Sequence, residues 1–426
     1  MEIEALYQKY KACNKLSTDT RKLTEGSMYF ALKGENFNGN KFVDEAFKKG
    51  AMYCIVDETS ACINNNCLLV DDTLTSLQEL AKHHRNQFNF PIIGLTGSNG
   101  KTTTKELIYS VLSTTYKVNA TQGNLNNHIG VPLTLLDFAD DLDFGIVEMG
   151  ANHQKEIEFL SSISQPDYAL ITNFGKAHLE GFGGIEGVIK GKSELYDYVK
   201  ANNKTAFINT EDNKQIEQIS GYNKIVTFGS KPENDCIIDF VNADPFVKVS
   251  FKNTEIQSHL IGTYNFSNIS VAIAIGNHFN VSTENIKKGI ENYQPKNNRS
   301  EIIEKDSTKI ILDAYNANPT SMLSVLKNLK QLSAKRKFLF LGDMFELGEE
   351  AHIEHQNIVD FAEENFEDNI YLIGENFFGC KTNTSTKKFK SFDDLQPILK
   401  TLELDNSTLL IKGSRGMALE RLLDAL

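Results

Sequence analysis

The fold is decided by Gly94-Leu95-Thr96-Gly97-Ser98-Asn99-Gly100-Lys101-Thr102-Thr103-Thr104, which directly follows an apolar run and opens a helical pattern. Glycines let several backbone N–H groups point at one anion, and a helix N-terminus adds partial positive charge. In such a loop Lys101 can reach terminal phosphates, and the Thr102 hydroxyl can bind Mg²⁺. The strict pattern has Gly at position 95, where this chain has Leu. The stretch therefore predicts a variant phosphate-binding loop, and the alternative is an ordinary glycine-rich turn.

Short apolar runs alternate with helical patterns on both sides of this loop, which predicts an α/β architecture with largely parallel sheets. In the middle of the chain we expect strands at 92–96, 144–149, 168–173, 205–208 and 224–228, and helices at 102–114 and 185–198. A second doubly wound sheet is expected from strands at 309–314, 337–341, 369–373 and 408–412.

Two stretches mark the expected domain boundaries. Residues 88–91, Phe-Asn-Phe-Pro, follow a helix that ends in His83, His84 and Arg85, and residues 294–298, Gln-Pro-Lys-Asn-Asn, are typical of a linker. They divide the 426 residues into 1–88, 89–295 and 296–426. Three domains agree with the usual size of about 150 residues per domain.

The composition excludes several classes of partner. The chain has 44 Lys and Arg against 56 Asp and Glu, a net charge of −12, so we expect neither nucleic acid nor an anionic membrane surface as a partner. No apolar stretch approaches the roughly 18 residues of a membrane span, and the start lacks the apolar segment of a secretory signal. Six scattered cysteines without metal-binding spacing indicate reduced thiols. These features predict a cytoplasmic protein.

Acidic and basic groups follow the expected strands where ligands bind to parallel sheets. Glu148 ends the strand after the phosphate loop, and His178 lies in the loop after the next strand. The carboxyl ends of parallel strands meet at one edge, so both side chains are candidates for a metal site. The alternatives are a solvated strand-end Glu and a hydrogen-bonded structural His. From its spacing alone, Lys192 is expected on a solvated helix face.

A loop at 121–130, Thr-Gln-Gly-Asn-Leu-Asn-Asn-His-Ile-Gly, is dense in amide side chains. Asparagine donates and accepts hydrogen bonds at once, so the loop suits a polar ligand with hydroxyl, amide or phosphate groups. The candidate ligand-binding residues are Thr121, Asn124, Asn126 and Asn127. The alternative is a series of Asx-turns.

Six stretches together resemble the ATP-dependent Mur ligases of peptidoglycan synthesis. They are the phosphate loop, the Asn-rich loop, and residues 148–153, 177–182, 262–268 and 412–416. They run over essentially the whole chain in the family's order. The resemblance implies three domains: a small N-terminal UDP-binding domain, a central P-loop ATPase-type parallel sheet and a C-terminal Rossmann-like domain.

Two further signatures resemble one branch of the family. Residues 313–322, Asp-Ala-Tyr-Asn-Ala-Asn-Pro-Thr-Ser-Met, and 341–348, Leu-Gly-Asp-Met-Phe-Glu-Leu-Gly, imply the branch whose amine substrate is D-alanyl-D-alanine. The Asp-Asn-Pro-Arg signature of the diaminopimelate-adding relatives is absent. The implied reaction activates the terminal carboxylate of UDP-N-acetylmuramoyl-tripeptide with ATP, as an acyl phosphate that the dipeptide amine then attacks.

The resemblance also implies roles for individual residues. Lys192 aligns with a lysine that carries a carbamate, and the implied catalytic residues are Lys101, Glu148, His178 and Lys192. Mg²⁺ would be held by Thr102, Glu148, His178 and Lys192. ATP would be bound by Thr96, Gly97, Ser98, Asn99, Gly100, Lys101, Thr102, Thr103, Asn265, Asn268, Arg299 and Asp313. The uridine part would be bound by Ser17, Thr20 and Arg21, and the dipeptide by Asn318, Asp343, Glu346 and Arg415.

Two other interpretations stay open from the sequence. One is a sister amide ligase, namely a diaminopimelate- or lysine-adding Mur enzyme or a folylpolyglutamate synthase. The other is a P-loop scaffold that senses ATP without ligation, although such a scaffold has no need for Glu148, His178 and Lys192 together. A monomer is expected.

Overall fold

The computed structural model describes residues 2–296 and 298–425. Met1, Leu426 and Asn297 of the expected linker 294–298 lie outside the described residues. The described chain forms three successive α/β regions, each built around a parallel or largely parallel sheet, which confirms the expected fold class. The domain boundaries at 88/89 and 295/296 stay predictions.

The N-terminal region has a four-stranded parallel sheet in the order β1-β2-β5-β6 and a small hairpin of β3 and β4. Its strands are β1 (Lys15–Ser17), β2 (Ser27–Phe30), β3 (Lys33–Gly34), β4 (Phe37–Asn38), β5 (Ala51–Val56) and β6 (Cys67–Leu69). Its helices are α1 (Ile3–Lys11), α2 (Val43–Lys48) and α3 (Thr73–Arg85). Helix α3 begins where the Asp72 side chain accepts a hydrogen bond from the backbone N–H of Thr75.

The central region has a seven-stranded sheet whose neighbouring strands are all parallel. Its strands are β7 (Ile92–Thr96), β8 (Val118–Ala120), β9 (Phe144–Glu148), β10 (Tyr168–Ile171), β11 (Thr205–Asn209), β12 (Ile225–Gly229) and β13 (Cys236–Ile237). The flanking helices are α4 (Lys101–Leu112), α5 (Gly130–Leu136), α6 (Glu156–Ser164), α7 (Leu179–Phe182), α8 (Ile185–Ala201) and α9 (Asn213–Ile219). The expected strands and both expected helices are confirmed, with ends shifted by a few residues.

The same region continues into an antiparallel sheet that the sequence analysis missed. Its strands are β14 (Asp239–Ala243), β15 (Phe246–Phe251) and β16 (Thr254–Ile261), and helices α10 (Phe266–His278) and α11 (Thr283–Asn292) follow. Strand β15 alternates buried and half-buried residues, because only one face of this sheet packs on the core. That alternation is the signal that was overlooked.

The C-terminal region has a six-stranded sheet in the order β17-β18-β22-β19-β20-β21, parallel except for β17. Its strands are β17 (Glu301–Lys305), β18 (Thr308–Asp313), β19 (Arg336–Gly342), β20 (Ile370–Ile373), β21 (Lys387–Phe389) and β22 (Ser407–Lys412). Its helices are α12 (Pro319–Gln331), α13 (Ala351–Asn365), α14 (Glu375–Phe378), α15 (Phe392–Leu399) and α16 (Leu422–Ala425). The expected second doubly wound sheet is confirmed.

The central sheet collects its polar groups at one edge. Strand β7 lies between β9 and β10, so the phosphate loop after β7 lies beside Glu148 at the end of β9 and Asn173 after β10. In such sheets the crevice outside the carboxyl ends of the strands is where ligands bind. No helix within the described ranges is long and apolar enough to cross a membrane.

Candidate active site

The phosphate loop curls tightly over the N-terminus of α4. Gly97 and Gly100 have φ angles of 144° and 79°, and a Cβ on Gly97 would lie 2.0 Å from the Thr172 hydroxyl oxygen. Only glycine fits both the backbone conformation and the space there. The Lys101 ammonium folds back and donates to the carbonyl oxygens of Gly97 (2.6 Å) and Ser98 (3.3 Å). Burial lowers the pKa of Lys101, with the nearby Glu148 carboxylate opposing the shift.

A cavity of about 530 Å³ opens in front of this loop, and most of the expected ATP-binding residues line it. They are Ser98, Asn99, Gly100, Lys101, Thr102, Thr103, Asn265, Asn268, Arg299 and Asp313. Thr96 and Gly97 do not line it. The Thr96 side chain is fully buried and donates to the carbonyl oxygen of Met149 (2.7 Å), so it ties β7 to the end of β9. For Thr96 the expected side-chain contact with a nucleotide is therefore corrected to a structural role.

Glu148 is a buried carboxylate at the bottom of this cavity. It is 1% exposed, so the alternative of a solvated strand-end residue is wrong. Its Oε1 accepts hydrogen bonds from the Asn126 amide (2.8 Å) and the Thr102 hydroxyl (3.3 Å). Its Oε2 is buried and has no hydrogen-bond partner in the described part of the chain. A buried carboxylate oxygen without a donor is stabilised by a cation.

His178 lies at the same edge of the sheet, but its imidazole pairs with a residue of the C-terminal region. Its Nδ1 is hydrogen-bonded to the Glu346 carboxylate, and this bond holds the pKa of Glu346 below its usual value. Both residues have left-handed backbones, with φ angles of 54° and 61°. Within residues 2–296 and 298–425, no three His, Cys, Asp or Glu side chains come together as a metal site.

Lys192 departs most from what its spacing in the sequence predicts, which is a position on a solvated helix face. It is 0% exposed on α8, not on a solvated face. Its ammonium donates to the Ala151 carbonyl oxygen (2.9 Å) and lies 4.9 Å from the centre of the Phe182 ring. Burial, with a smaller contribution from Lys101, lowers the pKa of Lys192 well below its ordinary value. The environment therefore favours an uncharged amine.

Some residues of the Asn-rich loop line the cavity, and others are buried in the protein interior. Asn124, Asn126 and Asn127 line the cavity, and the Asn127 side chain also accepts backbone hydrogen bonds from Ile129 (3.1 Å) and Gly130 (2.9 Å) at the start of α5. Thr121 does not line the cavity and is buried, with its hydroxyl oxygen accepting the N–H of Glu148 (3.0 Å). We correct its expected role from ligand binding to positioning of Glu148.

The C-terminal region forms the opposite wall of the cavity. The Arg299 guanidinium lies over the Tyr315 ring at 3.5 Å. The Asp313 carboxylate accepts the N–H of Ser300 (3.1 Å) and the ammonium of Lys412 (2.6 Å). Lys412 is buried and lines the cavity, yet it was not among the expected site residues. Its position at the end of β22, opposite Asp313 in register, was the available signal.

A second cavity of about 250 Å³ adjoins the first, and Asn318, Glu346 and Arg415 line it. Four residues line both cavities, namely His178, Tyr315, Asn316 and Asn318. Arg415 is exposed and pairs with Glu420 at 2.7 Å. Asp343 lines neither cavity, because its buried carboxylate accepts the backbone N–H groups of Asn376 and Phe377 and caps α14. The structure therefore does not bring Asp343 to the expected dipeptide pocket.

The expected uridine-binding residues lie apart from both cavities. Ser17 donates to the carbonyl oxygen of Asp19, Thr20 donates to the Glu45 carboxylate, and Arg21 is paired with Asp19. Ser17 is the last residue of β1, and Thr20 and Arg21 lie in the turn that follows it. Their role stays a prediction.

Missed cavity residues are short-range neighbours of the expected ones. Asn173 lies just after β10, at the same edge of the sheet where Glu148 ends β9. The Asn173 side chain accepts a hydrogen bond from the backbone N–H of Asn99 (3.1 Å). Tyr264 lies beside Asn265, and its hydroxyl is hydrogen-bonded to that of Ser300 (3.1 Å). The position of Asn173 at a strand end was a usable signal, whereas the Tyr264–Ser300 contact is a product of the tertiary fold.

Two family models match this chain. The Mur ligase middle domain matches residues 95–276, and the Mur ligase, glutamate ligase domain matches residues 298–415. The first match begins at the phosphate loop and ends in α10, and the second covers most of the C-terminal sheet. These matches define the class as Mur ligases.

Individual relatives show to which group of Mur ligases the chain is most similar. The chain is 34% identical over 423 residues to the UDP-N-acetylmuramoyl-tripeptide–D-alanyl-D-alanine ligase of Bacillus subtilis (strain 168), across 96% of this chain and 92% of the relative. The crystal structure of MurF from Acinetobacter baumannii is similar with a TM-score of 0.86 and 31% identity, covering 99% of this chain and 97% of that one. MurF ligase from Thermotoga maritima in complex with ADP has a TM-score of 0.86 and 25% identity, covering 98% and 97%. The chain belongs to the family of UDP-N-acetylmuramoyl-tripeptide–D-alanyl-D-alanine ligases.

Proposed function

We propose that this chain joins D-alanyl-D-alanine to UDP-N-acetylmuramoyl-tripeptide at the expense of ATP, giving the pentapeptide product, ADP and phosphate. The observation that carries the proposal is the family membership over nearly the full length of the chain. The two adjoining cavities support it, because an acyl phosphate in one and an amine in the other would meet at the four residues they share. The relative solved with ADP supports ATP as the nucleotide.

The chemistry needs activation of the carboxylate, since joining a carboxylate to an amine in water is uphill. The γ-phosphoryl group of ATP would pass to the terminal carboxylate of the tripeptide. The dipeptide amine would then attack the acyl carbon, and phosphate would leave. The backbone N–H groups of the phosphate loop and the Lys101 ammonium neutralise charge on the phosphoryl oxygens as they are positioned.

The residues fit a Mg²⁺ ion next to this loop. The free Oε2 of Glu148 is an anionic oxygen ligand, and the Thr102 hydroxyl lies beside the same carboxylate. The Nδ1 of His178 is engaged by Glu346, so its Nε2 is the nitrogen left for a metal. Mg²⁺ bound by these residues would neutralise the phosphate oxygens.

We further propose that Lys192 is carbamylated in the active enzyme. Carbamate formation requires an uncharged amine, and burial lowers the pKa of Lys192. The product would be an anionic oxygen group able to bind a cation. A ¹³C-bicarbonate-derived carbamate signal in the NMR spectrum of the wild type, absent in Lys192→Met, is expected. A wild-type spectrum without this signal would contradict the proposal.

The second cavity is our candidate dipeptide pocket. D-Alanyl-D-alanine carries one ammonium and one carboxylate at neutral pH, and the cavity offers the Glu346 carboxylate and the Arg415 guanidinium. Removal of either charge is expected to raise KM for the dipeptide far more than KM for ATP.

The uridine part of the other substrate is proposed to be bound by Ser17, Thr20 and Arg21. We also propose that the chain is a monomer with three domains, at residues 1–88, 89–295 and 296–426.

The deciding experiment is phosphate release by the purified protein with Mg-ATP and UDP-N-acetylmuramoyl-tripeptide, with and without D-alanyl-D-alanine. Release that depends on the dipeptide, together with a pentapeptide product in the mass spectrum, is expected. Release with a free diamino acid and a UDP-linked dipeptide would instead indicate a sister amide ligase, which the names of the relatives do not favour. Absence of release with any amine would indicate the nucleotide-sensing scaffold.

A further inference from the structure

Asn99 of the phosphate loop and Asn318 of the C-terminal region share a hydrogen bond across the cavity. The Asn318 amide nitrogen donates to Asn99 Oδ1 at 2.7 Å, although 219 residues separate the two in sequence. Asn318 lines both cavities, whereas Asn99 lines only the first. The pair is therefore placed where a change at the second cavity can reach the phosphate loop.

The hydrogen bonds around Asn318 fix which end of each amide faces the other. Asn318 Oδ1 accepts the backbone N–H of Ser321 (2.9 Å) and caps α12, so only its Nδ2 is left for Asn99. A nitrogen donor requires an acceptor, and Asn99 must therefore present Oδ1 to it. As a result, the Nδ2 group of Asn99 is turned away from Asn318.

The turned Nδ2 group of Asn99 is a buried donor without a hydrogen-bond partner in residues 2–296 and 298–425. Its backbone is held in place, because its N–H donates to the Asn173 side chain and its carbonyl oxygen accepts from the Thr172 hydroxyl (2.6 Å). A Cβ on Gly175 would come within 2.8 Å of this nitrogen, so only glycine at position 175 leaves this amide group unobstructed by a side chain. A buried donor left unpaired is unfavourable unless an acceptor arrives.

We propose that Asn99 donates from Nδ2 to an anionic oxygen of the γ-phosphoryl group, and that Asn318 is the positioning residue that orients it. With the opposite amide orientation, Asn99 Oδ1 would face the phosphoryl oxygens and repel them. The contact exists only while the C-terminal region lies against the phosphate loop. The inference rests on the proposed function and extends it, because it links the amine side of the site to phosphoryl transfer.

The test is a double-mutant cycle of Asn99→Ala and Asn318→Ser. Serine keeps an oxygen that can cap α12 but lacks the amide donor. Each single variant is expected to lower kcat for the pentapeptide by about 100-fold, as for loss of one donor to a developing oxyanion. The double variant is expected to be no worse than the poorer single one, because residues that act as a unit are not additive. Thermal melts establish that each variant is folded.

A matched control cycle uses Asn316→Ala in place of Asn318→Ser. Asn316 lies two residues away and lines the same two cavities, but its side chain bonds to the N–H of Ala317 and not to the phosphate loop. Its effect should multiply with that of Asn99→Ala. Multiplying effects in the Asn99/Asn318 cycle, or a wild-type kcat for Asn318→Ser, would overturn the inference.

Nucleotide binding separates this inference from the proposed function. By calorimetry, Asn99→Ala and Asn318→Ser are expected to weaken a non-hydrolysable ATP analogue by about tenfold while leaving ADP binding unchanged. Equal weakening of both nucleotides, or of neither, would overturn the role of Asn99 toward the γ-phosphoryl group. This measurement decides the inference even if the wild type forms no pentapeptide, a result that would reject the proposed function alone.

Discussion

The central region has two junctions of different physical character. On the N-terminal side, α3 packs against α5 and α6, and one apolar core runs from the N-terminal sheet into the central one. Aromatic rings contact one another at this junction in stacked, tilted and edge-to-face pairs, and they belong to Tyr7, Tyr10, His84, Phe88, Phe90 and Phe138. Arg85 adds hydrogen bonds to the carbonyl oxygens of Ser164 and Gln165 and to the Asp167 carboxylate.

On the C-terminal side, many of the contacts that join the central and C-terminal regions are polar and lie around the cavity. Lys176 pairs with Glu354 at 2.5 Å, and its backbone N–H donates to the Thr320 hydroxyl (2.9 Å). The pairs Asn99–Asn318 and His178–Glu346 lie nearby, and Leu179 and Phe182 belong to the same apolar cluster as Met344 and Leu347.

The difference identifies the junction that can open. Separating the N-terminal junction would expose aromatic and aliphatic surface, at about 25 cal/mol per Å². Opening the C-terminal junction would also expose the apolar cluster around Leu179 and Phe182, but the hydrogen bonds and ion pairs there can be exchanged for bonds to water at little net free energy. We therefore expect substrates to enter by movement of the C-terminal region. Small-angle scattering that is unchanged on addition of all ligands would contradict this expectation.

The largest effect is expected from Glu148→Gln, which changes a residue of the first cavity, in the central region between the two junctions. The amide keeps the size of the side chain but removes the anionic oxygen, so ligation should fall by about 10³-fold. Pentapeptide formation measures the change, with the exposed Glu158→Gln as the control. The melting temperature of Glu148→Gln should not fall, because the buried Oε2 that it replaces accepts no hydrogen bond in the described part of the chain. A variant that ligates normally would remove Glu148 from the site.

A smaller loss is expected from Arg85→Met at the N-terminal junction. Arg85 is buried, and its removal takes the Arg85 donor from the carbonyl oxygens of Ser164 and Gln165. It also removes one of the two cations that pair with the Asp167 carboxylate. The free energy of unfolding should fall by about 3 kcal/mol. Urea denaturation measures it, and kcat at low temperature should be preserved.

The matched control for this variant is Arg21→Met. Arg21 also pairs with an aspartate, but its side chain is 85% exposed, so its loss should change stability by less than about 0.5 kcal/mol. Equal losses in the two variants would mean that the N-terminal junction is no more tightly held than a surface ion pair.

At the C-terminal junction, Lys176→Met is expected to affect activity more than stability. It leaves the Glu354 carboxylate, whose side chain is only 7% exposed, without its cation whenever the two regions meet. We expect kcat to fall about fivefold to tenfold, which corresponds to roughly 1 kcal/mol. Lys176→Met/Glu354→Gln should recover part of this loss, because no unpaired charge remains. Lys155→Met, which breaks the exposed pair with Glu158, serves as the control.

The smallest effect is a pH dependence of stability from His84. Its Nε2 faces the Phe138 carbonyl oxygen (3.1 Å) and must donate, and its Nδ1 is hydrogen-bonded to the Tyr7 hydroxyl (3.1 Å). Burial holds the pKa of His84 below its ordinary value. As the pH falls below about 6.5, the unfolded chain therefore takes up a proton that the folded chain does not, and stability decreases.

This contribution amounts to at most about 1.4 kcal/mol per pH unit. His84→Gln should remove it, whereas the same change at the neighbouring His83 should leave it in place. Urea titrations at pH 7 and pH 5.5 measure the difference. An unchanged pH dependence in His84→Gln would show that the N-terminal junction tolerates a charged ring.

Local signals in the sequence were sufficient for most strands of the central and C-terminal parallel sheets and for the phosphate loop. Apolar runs predicted β7, β9 and β10, because buried parallel strands are apolar on both faces. The rule that ligands bind at the carboxyl ends of such strands brought Glu148 and His178 to one edge. The antiparallel β14–β16 sheet was missed because its strands alternate apolar and polar residues and contain no continuous apolar run.

Burial and long-range pairing were decided by the tertiary structure alone. Spacing placed Lys192 on a solvated face, yet packing of α8 removes it from water and lowers its pKa. Thr121 and Asp343 carry the polar chemistry expected of ligand-binding residues, but backbone N–H groups already use their oxygens. A side chain's neighbours in space cannot be read from its neighbours in sequence.

The sequence by itself therefore predicted the phosphate loop, Glu148 and His178 that line the cavity, because glycine geometry, strand ends and helix starts are local properties of the chain. Only the tertiary structure decided how those groups are used. The Oε2 of Glu148 and the Nδ2 of Asn99 are left unpaired, while Asp313 is paired with Lys412. The physical reason is that hydrogen bonding and desolvation depend on contacts such as Asn99–Asn318, which join residues 219 positions apart.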